Sequence, residues 1–416
     1  MKFTAPRSLF SLLGRKVNQY SSIAPTALSL HQYFEFDKIT NANLFEFVRR
    51  ELLVRFAALI QEFERSQTLF NMPIVRRVAD THCESFERLL IFEHAKNTAS
   101  QMERFNNQLR TILKHHRNTV EEISKAIGEL QQTTNKNHFG VDDAILHACI
   151  DRILLSQIAI RTLQNQYLST FDLPIHNKVG ECSLQRVVGV IDSGCDVAHL
   201  VRDAYNTASE LCDDFYQCTP ALHLNVIDPA KTPTCITAEP SYLYHIIFEI
   251  LKNSMRATIE HANGNNAGDV RNLPPIKVQL EVNGKYLVIK ICDQGGGIPL
   301  DVINRLFNYT YTTVTPPVNY ITPFAGFGTG LPVSRLYARY FSGDLILSSV
   351  DGLGTNASIY TRLDPHEAVE FLPTNSPTNR LLHYVHQPTM PDVPQMRLDV
   401  GLVRTASPSM RFNQRI

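Results

Sequence analysis

Residues 43–63, "NLFEFVRRELLVRFAALIQEF", set Leu44, Phe47, Val48, Leu52, Phe56, Leu59, Ile60 and Phe63 at three- and four-residue steps. That is the period of a helix with one apolar stripe. Comparable stripes run through 74–94, 98–131 and 141–171, parted by short polar breaks such as "QQTTNKNHFG". Each such helix must bury its stripe, and four in succession with short connections do so as an antiparallel bundle. No strand period interrupts them, so residues 26–180 are expected to form a four-helix bundle.

Near residue 182 the texture changes. Short β-branched runs ("RVVGVI", "IKVQLEV", "YLVIKI", "DLILSSV", "NASIYTRL") alternate with helical stretches at 196–215, 240–261 and 332–341. This predicts an α/β domain over 181–365, with a mixed or antiparallel sheet layered on helices. The stretch 366–416, with "FLPTNSPTNR" and "HQPTMPDVPQ", reads as a proline-rich extended tail.

The opening differs in kind. "MKFTAPRSLFSLLGRKVNQYSS" holds Lys2, Arg7, Arg15, Lys16 and four serines, and the first acid of the chain is Glu35. A serine-rich, acid-free, basic start suits a mitochondrial transit peptide over about residues 1–25, with the matrix as destination. A plain disordered terminus is the other reading.

Composition excludes several classes. Lysine plus arginine and aspartate plus glutamate number 40 each, so no global field draws the chain to nucleic acid or anionic membrane. No run approaches the roughly 18 uncharged apolar residues of a membrane span. Eight cysteines without a CxxC pair read as thiols in a reducing compartment.

Chemistry gathers in three places. In "PSYLYHIIFEILKNSMRATIE", 240–260, Pro240 suits a first helical turn. Leu243, Ile246, Ile247, Ile250, Leu251 and Thr258 fall on one side; His245, Glu249, Lys252, Asn253 and Arg256 fall within about 100° of arc on the other. A solvated face with i, i+4 pairing is the bland explanation. Asparagine, though, is a middling helix former, and an amide oxygen facing phosphates can complete the shell of Mg²⁺.

The second place is "ICDQGGGIP", 291–299, where an apolar run ends in Asp293 and three glycines. It is either a strand turn or a pocket floor in which a carboxylate meets a base edge. The third is "AGFGTGLPVSRLYARYFSGDL", a glycine-rich loop running into a helix whose first turn contains Pro332. Such a junction offers N–H groups and a positive dipole end to phosphate. The preceding segment 308–324 lacks an apolar stripe and is expected to form a lid over bound nucleotide.

These boxes in this order, with "DGLGTNASIY" behind them, resemble the GHKL ATP-binding superfamily. "YHIIFEILKNSMRAT", "RLFNYTYTT", "GFGTGLPVSRLYARYFSGDL", "FVRRELLVRFAALIQEF" and "GCDVAHLVRDAY" are similar to the mitochondrial pyruvate dehydrogenase kinases, and less closely to branched-chain α-ketoacid dehydrogenase kinase. The resemblance covers roughly residues 28 to 365. It implies a kinase that uses ATP and Mg²⁺ to phosphorylate a serine of the decarboxylase in the pyruvate dehydrogenase complex. Contact with a lipoyl domain and a homodimer are further implications.

Carried over by position, the resemblance makes Glu249 the base for the substrate hydroxyl and His245 its tuning neighbour. Asn253 would bind Mg²⁺, with Lys252 and Arg256 supporting the nucleotide. Asp293 would take the adenine amino group, with Gly295 and Gly297 allowing its approach. Thr312, Thr313, the loop Gly326, Phe327, Gly328, Thr329, Gly330 and Leu331, and Thr355 would complete the pocket. A branched-chain kinase and a non-catalytic ATP-binding scaffold are the alternatives.

The chain departs from the family pattern in places. "ELLVR" places Leu53 where the family has proline, "IRTLQNQY" replaces the usual segment near the bundle's end, and there is no tryptophan at all. The Asp-Trp tail pair that links subunits in related kinases is therefore missing. His116, in "LKHHRNTVEEI", aligns with a bundle histidine but is followed by Arg117 rather than an acid, which favours a structural role over autophosphorylation.

Overall fold

A computed structural model describes residues 7–65, 67–133, 141–172, 186–264, 273–303, 305–309 and 329–373. The helical part comprises α1 (Arg7–Ser21), α2 (Leu30–Phe34), a 3-10 turn at Glu35–Lys38, α3 (Asn41–Arg65), α4 (Gln67–Phe70), α5 (Pro73–Leu90), α6 (Ala99–His115), α7 (Thr119–Thr133) and α8 (Val141–Phe171). Helix α3 lies at the centre, packed against α1, α5 and α8. Of its predicted stripe, Leu44, Val48, Leu52, Phe56, Leu59, Ile60 and Phe63 are buried. Phe47 is half-buried at the margin of the core.

The stripe over 98–131 does not form one helix. Helix α6 ends at His115, and His116 caps it with its N–H on the Ile112 carbonyl. The run "KHHRN" supplies no apolar side chain to continue the stripe, and the His116 ring instead turns into the core. Its Nε2 lies 2.8 Å from Ser85 Oγ, and its ring lies 4.2 Å from that of His82. Burial, then the neighbouring His82 and His115, push His116 down to about 2, so it is a neutral packing residue.

The N-terminal segment contributes to the bundle core. Val17 and Tyr20 of α1 are buried in the bundle core. Lys16 Nζ and Tyr20 Oη donate to Glu93 Oε1 at 2.7 and 2.8 Å. Beyond α1, the Thr26 N–H donates to Glu51 Oε1.

The second part contains β1 (Val187–Val188), β2 (Ile191–Asp196), α9 (Val197–Tyr216), β3 (Leu222–Val226), β4 (Cys235–Ala238), α10 (Pro240–Gly264), β5 (Ile276–Asn283), β6 (Tyr286–Cys292), α11 (Leu300–Ile303), α12 (Gly330–Tyr340), β7 (Asp344–Val350) and β8 (Gly354–Arg362). The main sheet has the order β3-β5-β6-β8-β7, and a smaller one has β1-β2-β4. Strand β3 pairs parallel with β5, while the other neighbours in the main sheet are antiparallel, so the sheet is mixed. Ile247, Leu251 and Met255 of α10 pack with Val201 and Ala204 of α9 onto Val278, Leu287 and Ile289 of the sheet. The fold is thus a helical region followed by an α/β layer with a mixed sheet, as the residue patterns predict.

One buried ionic cluster ties the two parts together. The Arg55 guanidinium of α3 donates to both carboxylate oxygens of Glu370, at 2.9 and 2.7 Å, and its Nε donates to Glu51. Glu370 also accepts from the Tyr33 and Tyr340 hydroxyls and from the Leu28 N–H. Residues just after the α/β domain are therefore fastened into the bundle. The rest of the expected tail, 374–416, lies outside the described residues. Among the described residues no helix is long and apolar enough to cross a membrane, and no two cysteines are joined in a disulfide.

Candidate nucleotide site

Helix α10 carries the polar stripe. Its apolar side is as the period predicts: Leu243, Ile246, Ile247, Ile250, Leu251 and Thr258 are all buried. On the opposite side the Glu249 carboxylate accepts a hydrogen bond from Lys252 Nζ at 2.7 Å. Lys252, on the same stripe, is buried, with its ammonium 5.3 Å from the Phe248 ring centre. His245 stands one turn earlier with its ring edge toward Tyr337, centroids 5.1 Å apart. Burial, against the attraction of Glu249, lowers its pKa, so the ring is neutral beside the carboxylate. Its Nε2 is buried without a hydrogen-bond partner. Asn253 and Arg256 are half-buried on the same stripe, and Arg256 Nε lies 4.0 Å from Glu260.

Asp293 follows directly on β6. Its N–H continues the β6–β8 ladder by donating to the Thr355 carbonyl at 2.9 Å. Its side chain then folds back, and Oδ1 accepts from the N–H groups of Gly295 at 3.0 Å and Thr355 at 3.1 Å. The hydroxyl of Ser254, one residue after Asn253, adds a further bond. Burial raises the Asp293 pKa and these donors oppose it, so the carboxylate is held rigidly in a partly dry floor.

The floor needs glycine at 297. Gly297 has φ +73°, and a Cβ there would lie 2.0 Å from the Val350 carbonyl oxygen. The next N–H, of Ile298, donates to Ser349 Oγ, which also contacts Thr355 Oγ1. The strand-end loop is therefore a built turn rather than a slack one.

Helix α12 brings the third box to the first. It begins at Gly330, after Thr329, whose side chain makes no capping bond. A Cβ on Gly330 would lie 2.4 Å from Glu249 Oε2. The carboxylate of Glu249 thus stands against the N-terminal turn of α12, with Leu331 beside it in the chain. Pro332 occupies that first turn as expected. Thr312, Thr313, Gly326, Phe327, Gly328 and nearly all of the expected lid lie outside the described residues.

The residues fit a nucleotide and Mg²⁺. A held carboxylate with a glycine floor suits a base amino group, and the start of α12 suits phosphate. Among the described residues no group of three or more His, Cys, Asp and Glu is placed to hold a metal ion. An ion here would depend on Asn253, water and the phosphates themselves, which is how Mg²⁺ is commonly bound. Ser254 and Ser349 were not foreseen, because a serine in a helix or strand carries no sign of which distant group it meets.

Comparison with known proteins agrees with this architecture. Residues 27–192 match the family model described as mitochondrial branched-chain alpha-ketoacid dehydrogenase kinase. Residues 238–365 match that of the histidine kinase-, DNA gyrase B- and HSP90-like ATPases. The chain is 43% identical to the mitochondrial pyruvate dehydrogenase (acetyl-transferring) kinase of Ascaris suum, over 89% of this chain and 91% of that protein. It is 42% identical to a probable such kinase of Caenorhabditis elegans, over 88% and 90%. It is 36% identical to isozyme 4 of Homo sapiens, over 87% of each. With relatives this similar along most of its length, the chain belongs to the mitochondrial pyruvate dehydrogenase and branched-chain α-ketoacid dehydrogenase kinase family of GHKL proteins.

Proposed function

We propose that this chain is a protein kinase of the mitochondrial matrix that uses Mg-ATP to phosphorylate a serine of the pyruvate dehydrogenase complex and so inactivates it. The observation that carries the reading is the meeting of Glu249 with the first turn of α12 at Gly330, one helical turn from Asn253. Base, metal ligand and phosphate-binding helix start then share one face. The names of the relatives favour pyruvate dehydrogenase over the branched-chain complex.

The geometry supports the following roles. Asp293 holds the adenine amino group, and Thr355 and Gly295 hold Asp293. Mg²⁺, when bound, neutralises phosphate charge, and Asn253 is the residue that would hold it. Glu249 accepts the proton of the substrate hydroxyl as the phosphoryl group transfers. The Lys252 ammonium keeps that carboxylate aimed, and neutral His245 packs it from the turn before. Import is proposed to depend on the N-terminal segment. A homodimer and a lipoyl-domain contact would have to form without the Asp-Trp pair, since the chain lacks tryptophan.

The test is to incubate the purified chain with labelled ATP and each dehydrogenase complex in turn. Label in a serine of the pyruvate dehydrogenase decarboxylase supports the reading. Label only in the branched-chain enzyme would shift the substrate. ATP binding with label in neither would favour a scaffold.

A further inference from the structure

Tyr309 is 1% exposed, although it closes a segment that runs from the nucleotide floor across the surface of the α/β domain. The chain leaves Asp293 and its glycines, forms α11 against β7, and reaches Phe307, above which the Arg335 guanidinium stacks at 4.5 Å. Tyr309 then enters the core of the helical bundle, where Val333, Leu336 and Tyr340 of α12 are also buried. Its hydroxyl donates to Asp151 Oδ1 of α8 at 2.5 Å.

We infer that Asp151, on the bundle helix α8, is a positioning residue for the nucleotide site, acting through its hydrogen bond with Tyr309. The inference rests on the pocket being a nucleotide site. Tyr309 lies sixteen positions after Asp293, and both ends of that stretch are fastened, one to Thr355 and the other to α8. Phe307 links the same stretch to α12, whose first turn meets Glu249. A change in the Asp151–Tyr309 bond therefore acts on both walls of the pocket, although Asp151 touches neither.

The charge state of Asp151 gives the bond an adjustable strength. Arg152 faces it from α8, and Arg335 and Arg339 from α12, while the His147 ring packs beside that of Tyr309; Arg152 is itself paired with Glu62 and the α12 arginines with Asp344. Burial raises Asp151 to about 6, against the Tyr309 bond and the three arginines. Above that pH it is a carboxylate, which accepts from Tyr309 more strongly than a neutral carboxyl and attracts α12. As pH falls through about 6 it takes a proton, and both attractions weaken.

The experiment is calorimetric ATP binding to the full chain from about pH 5.5 to 8, on wild type and on Asp151→Asn, Tyr309→Phe and His147→Gln. Wild type is expected to lose about tenfold in affinity as pH falls through about 6, the scale of one charge-assisted hydrogen bond. Asp151→Asn should bind about tenfold more weakly already at pH 8 and show no step. Tyr309→Phe, which keeps the ring, should share the weakened affinity at pH 8, and it alone carries the test if Asp151→Asn does not fold. His147→Gln should keep the wild-type affinity and step. Wild-type affinity at pH 8 in Tyr309→Phe, or a step that persists in Asp151→Asn, would overturn the inference while leaving the nucleotide site intact. Failure of wild type to bind ATP at any pH would remove the nucleotide reading, and this inference with it.

Discussion

Glu249 Oε2 lies where a Cβ on Gly330 would come within 2.4 Å of it. Residue 330 must therefore be glycine for the carboxylate to keep its place between Lys252 and the start of α12. Gly330→Ala pushes on the free end of a flexible side chain, so the fold should survive while the carboxylate moves. A displacement of about 1 Å at a reacting group costs on the order of 10²-fold in rate. Phosphotransfer should fall by about that factor with thermal unfolding unchanged; normal transfer would mean that the contact has no catalytic consequence.

Asp293 makes its own prediction. Its carboxylate is held by Gly295, Thr355 and Ser254, so replacing it removes a fixed acceptor rather than a wandering one. Asp293→Ala should weaken ATP binding by roughly 10- to 100-fold, the range for a hydrogen bond to a charged group. Calorimetry that returned the wild-type affinity would place the adenine elsewhere.

The Arg55–Glu370 pair bears on stability rather than chemistry. Glu370→Ala leaves the Arg55 guanidinium, 3% exposed, without its bidentate partner and strands the Tyr33 and Tyr340 hydroxyls. Breaking a buried pair from one side costs about 3–5 kcal/mol. Denaturant unfolding should show a loss of that order, and a loss below about 1 kcal/mol would mean the cluster is hydrated and weak.

The N-terminus separates address from structure. Val17 and Tyr20 are buried, so deletion of residues 2–25 should cost several kcal/mol of stability at about 1.5–3 per buried side chain. Deletion of 2–12 should block entry into mitochondria if that segment is the import signal. Efficient import of the shorter chain would assign the address elsewhere.

Much of this was legible in the residue pattern, and the limits have physical causes. The two faces of α10 follow from its period, because burial on one side selects apolar residues at fixed steps. The break between α6 and α7 is marked only by the five polar residues "KHHRN", because the apolar residues on either side of them keep the helical period. Strands β3 and β4 are only 5 and 4 residues long, too short for alternation to stand out. The helical angle puts Lys252 on the polar stripe, and angle does not reveal that Phe248 and Glu249 lie against its ammonium. Asp151 and Tyr309 lie 158 residues apart, and neither residue's surroundings in the chain hint at the other.

The central claim is that Glu249 acts as a base while the pocket binds nucleotide independently of it. Glu249→Gln keeps shape and a partner for Lys252 but removes basicity, so the measurement is phosphotransfer to pyruvate dehydrogenase beside ATP affinity in that variant. Affinity is expected within a few-fold of wild type and transfer lowered by roughly 10²–10⁴, the usual contribution of a positioned general base. Near-normal transfer by Glu249→Gln would contradict it.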